Sequence, residues 1–284
     1  MEWERAKNII LIAFVVLNLG LAGLFFAEYR RYTLSPARIN TVVTVLSANN
    51  INLDTSLPRR FEPMRHLDIS GFYYDLPALL AIFFDEPENL YHIEDDHGVI
   101  FSNGVSTLDI SNGFVTFENG EPAYSPYEIS RDDAILIAQN FINLHFPNFV
   151  PDMILDAYSG DGVQIIFREQ YRGQIILSNY IEFLISRRRV EWIEMQFGRV
   201  IGHSAEARMI FAPDEILLTF LQRMRHSAME NPIFISSIDM VYLLEYASYS
   251  EGQVYPAVPF YRIFIRYNDF EFLINAYTNV PGNF

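Results

Sequence analysis

The densest run of chemistry-bearing side chains in this 284-residue sequence is Glu94-Asp95-Asp96-His97. Carboxylates and imidazole are suitable metal ligands, so the run has one reading as a metal-binding turn. The ligand spacing of a calcium loop is missing, however, and Asp-Asp-His-Gly between two strand patterns suits a solvated hairpin turn. The turn is the reading adopted. The histidines (His66, His92, His97, His145, His203, His226) are scattered, with no pair four apart on one helix. No HExxH, Walker A loop, GxGxxG or GxSxG occurs. Cysteine is absent, which removes thiol catalysis and thiolate metal sites. The expectation is therefore a binding or regulatory protein and not an enzyme, with no catalytic residue, no metal site and no cofactor.

A second run, Arg187-Arg188-Arg189, could hold an anionic wall polymer or a lipid headgroup. It falls between two strand patterns, where a charged, solvated turn is the ordinary explanation. The net charge is −15 and Lys7 is the only lysine. An acidic chain without a basic stripe excludes nucleic acid as a partner. Half of the residues are hydrophobic and 15% are aromatic, so the body is folded and not a disordered tether.

The remaining chemistry lies in an apolar segment. Ile9 to Phe26 carries no charge and one strongly polar residue, Asn18. Eighteen residues at about 1.5 Å rise cover roughly 27 Å, close to the thickness of a hydrocarbon core. A cleavable signal peptide would have a shorter apolar region ending in a small-x-small site. Here the run ends in Leu24-Phe25-Phe26-Ala27-Glu28-Tyr29, whose aromatics suit a membrane interface, so an uncleaved transmembrane anchor is expected. Arg5 and Lys7 precede it and Arg30, Arg31 and Arg38 follow, so flanking charge leaves orientation open. On a helical projection Ala13, Gly20, Gly23 and Ala27 share one side, near the small-residue pattern that lets membrane helices approach closely. Asn18 projects to roughly the opposite side, where its amide could bond a partner helix. These five residues are the candidate partner-binding site.

The elements that position the rest follow from pattern. Ser35-Pro36 opens a helix, with Ile39, Val42, Val43 and Leu46 at helical spacing and Asn49-Asn50 at its end. A short helix is expected over Leu76–Phe84, capped by Asp75. Strands at 90–93, 98–102, 106–110 and 114–117 are separated by Asp95-Asp96-His97-Gly98, Asn103-Gly104 and Asn112-Gly113, a hairpin series. Asn119-Gly120-Glu121-Pro122 marks a module boundary. Beyond it a helix from Ser130 to about His145 is followed by strands near 152–158, 163–171, 174–186 and 190–198. A helix from Pro213 is followed by strands near 239–248, 260–267 and 270–277. Runs of strands with few helices indicate α+β architecture with antiparallel sheets, built of repeated helix-plus-sheet modules. The expected domains are 1–32 (tail and anchor), 33–125 (first module) and 126–284 (a pair of helix-plus-sheet repeats).

Three places resemble YycI, the membrane-anchored regulator that accompanies the YycF–YycG (WalR–WalK) two-component system. The N-terminus reads Met1-Glu2-Trp3, Lys7 and Val16-Leu17-Asn18-Leu19, similar to the family's acidic residue and Trp, basic residue, and Leu-Asn within an anchor. Tyr171-Arg172-Gly173-Gln174-Ile175-Ile176-Leu177-Ser178-Asn179 is similar to its Tyr-x-Gly-x-Pro-Ile-Phe-x-Asn, with Ile175 for Pro and Leu177 for Phe. Leu244-Glu245-Tyr246, Val258-Pro259-Phe260-Tyr261-Arg262-Ile263 and Phe272-Leu273-Ile274-Asn275-Ala276 resemble its C-terminal motifs, with Glu245 for Gly and Tyr261 for Trp. The resemblance implies a cytoplasmic N-terminus, an extracytoplasmic body, and regulation of a YycG/WalK-like sensor histidine kinase together with a YycH-like sister protein. It carries no catalytic residues. The alternative is an extracytoplasmic module that binds the cell wall; a membrane-tethered hydrolase built on scattered Asp and His is a further rival.

Overall fold

A serine before a periodic apolar run caps two of the described helices. The computed structural model describes residues 2–71, 75–94, 96–111, 113–120, 129–159, 162–196, 198–225, 232–244, 253–266 and 270–282. In chain order its elements begin with α1 (Glu2–Arg31), α2 (Pro36–Ser47), β1 (Ile51–Leu53), β2 (Leu67–Ser70) and α3 (Leu76–Phe83). A meander follows: β3 (Tyr91–Glu94), β4 (Gly98–Ser102), β5 (Thr107–Ser111) and β6 (Phe114–Glu118). Then come α4 (Arg131–His145), β7 (Pro151–Ser159), β8 (Gly162–Tyr171), β9 (Gln174–Ser186), β10 (Arg189–Gln196) and β11 (Arg199–His203). The chain finishes with α5 (Pro213–Arg225), β12 (Ile233–Leu244), β13 (Val254–Ile265) and β14 (Phe270–Asn275). The architecture is α+β, with mostly antiparallel pairing. Two units are formed: unit 1 from Met1–Met64, Arg208–Asp239 and Tyr261–Phe284, and unit 2 from Arg65–Ala207 and Met240–Phe260.

In unit 1, Ser35 caps α2 by accepting from the Arg38 amide, with Pro36 in the first turn. α5 carries Asp214 and Glu215 at its start and Arg223 and Arg225 at its end, each sign opposing the helix dipole. Glu215 also reaches back to accept from the Ala212 amide at 3.1 Å, as a capping box does. Ile216, Leu217, Phe220, Leu221 and Met224 form the buried stripe of α5. Arg38 joins the two helices through a bidentate pair with Asp214, at 2.7 and 2.8 Å. β1 pairs with β12 in parallel, Ile51 opposite Ile233. The part of the C-terminal resemblance from Tyr261 onward is built into this unit. The Tyr261 hydroxyl donates to the Phe211 carbonyl at 3.0 Å, buried Arg262 lies between Asp239 and Glu271, and Asn275 Oδ1 accepts from the amides of Tyr277 and Thr278.

In unit 2, Ser130 caps α4 by accepting from the Asp133 amide at 3.2 Å. Ala134, Ala138 and Ile142, each four apart, are its buried face. They belong to one core with Val163, Ile165 and Phe167 of β8, Ile181, Phe183 and Ile185 of β9, and Ile193 and Met195 of β10. Alternate residues of the same strands make the other sheet face, which is polar: Tyr180 donates to Glu194 at 2.5 Å and Gln164 to Glu182. The meander joins this sheet where β6 pairs with β10, Val115 opposite Met195. The β8–β9 hairpin turns at Arg172-Gly173 and the β9–β10 hairpin at Arg187-Arg188, all four residues having positive φ. Two successive left-handed residues make the tight turn that matches strand twist, a role in which two arginines are strained relative to Asn-Gly.

Candidate functional site

The anchor candidates stand on α1, whose 30 residues make a rod of about 45 Å. This helix is long and apolar enough to cross a membrane, and its apolar span is uncovered by the body. Ala13, Asn18, Gly20, Gly23 and Ala27 are all exposed, and a Cβ added at Gly20 or Gly23 would meet nothing. Asn18 modifies the sequence expectation. Its Nδ2 donates to the Phe14 carbonyl one turn back at 2.7 Å, which leaves Oδ1 as the group open to a partner. At the far end Arg30 sits over the Phe26 ring at 4.5 Å and Arg60 over Tyr29 at 5.2 Å. The exit of the helix is tied down by backbone bonds from Leu34 to Arg59 and from Phe61 to Tyr32.

Other sequence candidates are separated by the fold. Asp96 and His97 are exposed in the β3–β4 turn, while Asp95 lies outside the described residues. Among the described residues no three or more His, Asp or Glu side chains gather as a metal site would require. The arginine run is split: Arg187 and Arg188 are exposed at the turn tip, whereas Arg189 makes a bidentate pair with Glu191 at 2.9 and 2.7 Å. That pair holds the Glu191 carboxyl below the usual range.

The site that sequence reasoning missed is a cavity of about 720 Å³ in unit 2. It is lined by the end of α4 and the loop after it (His145 to Val150), by Glu169, Gln170 and Tyr171 of β8, by Gly198, Arg199 and Val200, and by Ser70 of β2. An irregularity in β9 opens it. Arg168 pairs with Tyr180, but Glu169 pairs with Ile176, so Leu177 to Asn179 are extra on the β9 side. Asn179, fully buried, holds the irregularity in place. Its Oδ1 accepts from the Gly198 amide at 3.2 Å, and its Nδ2 donates to the Gly198 carbonyl at 3.0 Å and to Glu169 Oε2 at 2.6 Å. Burial raises the Glu169 pKa, and the bond from Asn179 opposes that shift. His145 packs on Phe141 with ring centroids 4.7 Å apart, and burial lowers its pKa. Ser70, His145 and Glu169 line one cavity but are not hydrogen-bonded to one another: the Ser70 hydroxyl donates to the Arg199 carbonyl.

A signal for this site was present in the period-2 pattern. Val163, Ile165 and Phe167 point inward along β8, and Glu169 occupies the next inward position. Asn179 likewise interrupts the apolar face of β9 beside Ile181, Phe183 and Ile185. A polar residue at an apolar position marks a buried network.

No family model and no curated protein matches the chain. Among solved structures, an uncharacterized protein from Eubacterium rectale is similar at a TM-score of 0.52 and 11% identity, covering 83% of this chain and 91% of that one. The C-terminal domain of Bacillus megaterium YpeB is similar at a TM-score of 0.44 and 12% identity, covering 75% of this chain and 97% of that one. The first likeness establishes a shared fold.

Proposed function

We propose that this chain is a non-enzymatic, membrane-anchored regulator of a sensor histidine kinase, similar to YycI, with its N-terminus in the cytoplasm and its body outside. The observation that carries this reading is the state of α1. Its apolar length is uncovered, Gly20 and Gly23 face none of the described residues, and Asn18 keeps an acceptor in hand. A helix of this kind gains van der Waals contact and a hydrogen bond only by meeting another helix in the membrane. The partners proposed are the kinase and a YycH-like sister regulator. The resemblance motifs support the same reading at the level of the fold, since Asn179, Tyr261, Arg262 and Asn275 each hold a buried contact.

The test has two arms. A reporter active only outside the cell should work when fused after Phe284 and fail when fused before Met1; reversed activities would sink the reading. Gly20→Leu with Gly23→Leu should keep insertion yet weaken detergent co-purification with the kinase or sister protein, and Asn18→Leu should do so more mildly. If a wholly exchanged anchor co-purifies as well as the parent, recognition does not run through α1. The wall-binding alternative has one specific support, the exposed Arg187-Arg188 tip. Sedimentation of the chain with wall polymer, lost on replacing both arginines, would favour it.

A further inference from the structure

The wall of the unit 2 cavity carries both Glu169 and Arg199, and among the described residues Glu169 is paired with neither that arginine nor any other cation. Glu169 is partly buried there, and its side-chain partner among the described residues is a neutral amide, Asn179. Arg168, next along β8, acts instead on Glu182 of the polar sheet face. A carboxylate withdrawn from water is costly unless a counter-charge meets it, and groups held in that condition collect at functional sites. The same cavity is lined by the aromatic rings of Phe146, Phe149 and Tyr171, and ring faces attract cations. The Tyr171 ring already has the Arg172 guanidinium over it at 5.3 Å, which leaves the two phenylalanines. The volume, about 720 Å³, falls within the range of about 300–1,000 Å³ occupied by small-ligand sites.

We propose that this cavity binds a primary ammonium group carried on an apolar stem, with Glu169 as its counter-ion and the rings of Phe146 and Phe149 flanking it. A metal ion is a poorer fit, because a single carboxylate among aromatic rings does not supply the several oxygen ligands that calcium or magnesium needs. A neutral polyol fits less well for a different reason: its hydroxyls bond the carboxylate but leave its charge uncompensated. A free peptide amino terminus and an amine side chain share the chemistry required. The inference concerns unit 2 alone, so its failure leaves the regulatory reading of α1 intact.

The test is calorimetry on the full chain in detergent with three probes. These are tri-alanine, N-acetyl-tri-alanine, and Nα-acetyl-lysine amide, which presents only a side-chain amine. Binding of tri-alanine or of the lysine derivative at millimolar concentration or better is expected, with N-acetyl-tri-alanine at least ten-fold weaker than tri-alanine. Glu169→Gln, which keeps the shape and removes the charge, should lower the affinity at least ten-fold while circular dichroism stays unchanged. Binding of tri-alanine alone assigns a peptide terminus; binding of the lysine derivative alone assigns a side-chain amine. The proposal is overturned if neither amine binds, if tri-alanine binds and acetylation makes no difference to it, or if folded Glu169→Gln binds as the parent does.

Discussion

Two helices in this chain carry small residues along one side, α4 with Ala134 and Ala138 and α1 with Ala13, Gly20, Gly23 and Ala27. On α4 both alanines are fully buried within the core that includes β8, β9 and β10. On α1 Ala13 and Ala27 are exposed, and a side chain at Gly20 or Gly23 would meet none of the described residues. Two asparagines in apolar runs divide in the same way. Asn179 has its amide committed on both sides, to Gly198 and Glu169. Asn18 spends only its donor, on its own helix. A small or polar residue in an apolar pattern is thus half of a contact. Burial shows whether the other half is in the same chain.

The comparison breaks most visibly at Asn179. Asn179→Ala leaves the Gly198 amide and carbonyl unpaired, at about 1–3 kcal/mol each, so a loss on the order of 2–6 kcal/mol is expected. Denaturant unfolding of the full chain in detergent measures it, and a loss no larger than that of Asn18→Ala would end the contrast between the two amides. Next in size is Ala138→Leu. Ala138 has no exposed surface, and forcing extra methylenes into such a place costs about 1–3 kcal/mol. Leucine at Gly20 should leave unfolding of the body unchanged, because no atom waits there. Equal effects at the two positions would mean that α4 sits more loosely than its burial says.

Capping and periodicity explain why much of the fold was legible in advance. Ser35 and Ser130 cap their helices as expected, and β3 to β6 pair in the expected hairpin order, with Asp95 and Asn112 of the turns outside the described residues. Asp75 precedes α3 but makes no side-chain cap bond. The strands left unread are short or interrupted. β1, β2 and β11 have three to five residues each, too few for a period, and β1 pairs with a strand far along the chain. β12 begins at Ile233, six residues before the expected strand, because Ser236-Ser237 hides the alternation. β13 begins at Val254, and Pro256, which argues against a strand in sequence, sits opposite Asp68 within the ladder. The cavity was harder to see, since its lining comes from β2, β8, the end of α4 and the residues after β10. Only the misplaced polarity of Glu169 and Asn179 announced it.

The smallest effect is also the most discriminating. Burial raises the Glu169 pKa in the folded chain, and the Asn179 bond only partly offsets that. The folded state therefore favours the protonated acid. The stabilisation this gives is full below the ordinary glutamate range and is lost as pH rises through the raised folded pKa. At neutral pH the parent carries a buried charge that Glu169→Gln does not, while the glutamine oxygen still accepts from Asn179. The variant should consequently unfold at a slightly higher temperature at pH 7, and the gap should close as pH falls below the glutamate range. The gain is modest because losing the charge also weakens the Asn179 bond, which is strongest to an anion. A residue kept only for packing would behave otherwise, its replacement lowering stability at every pH. Thermal melts at pH 7 and at pH 4 separate the two cases. A parent more stable than Glu169→Gln at pH 7 would mean that Glu169 is a structural group, matched within the chain as completely as Asn179.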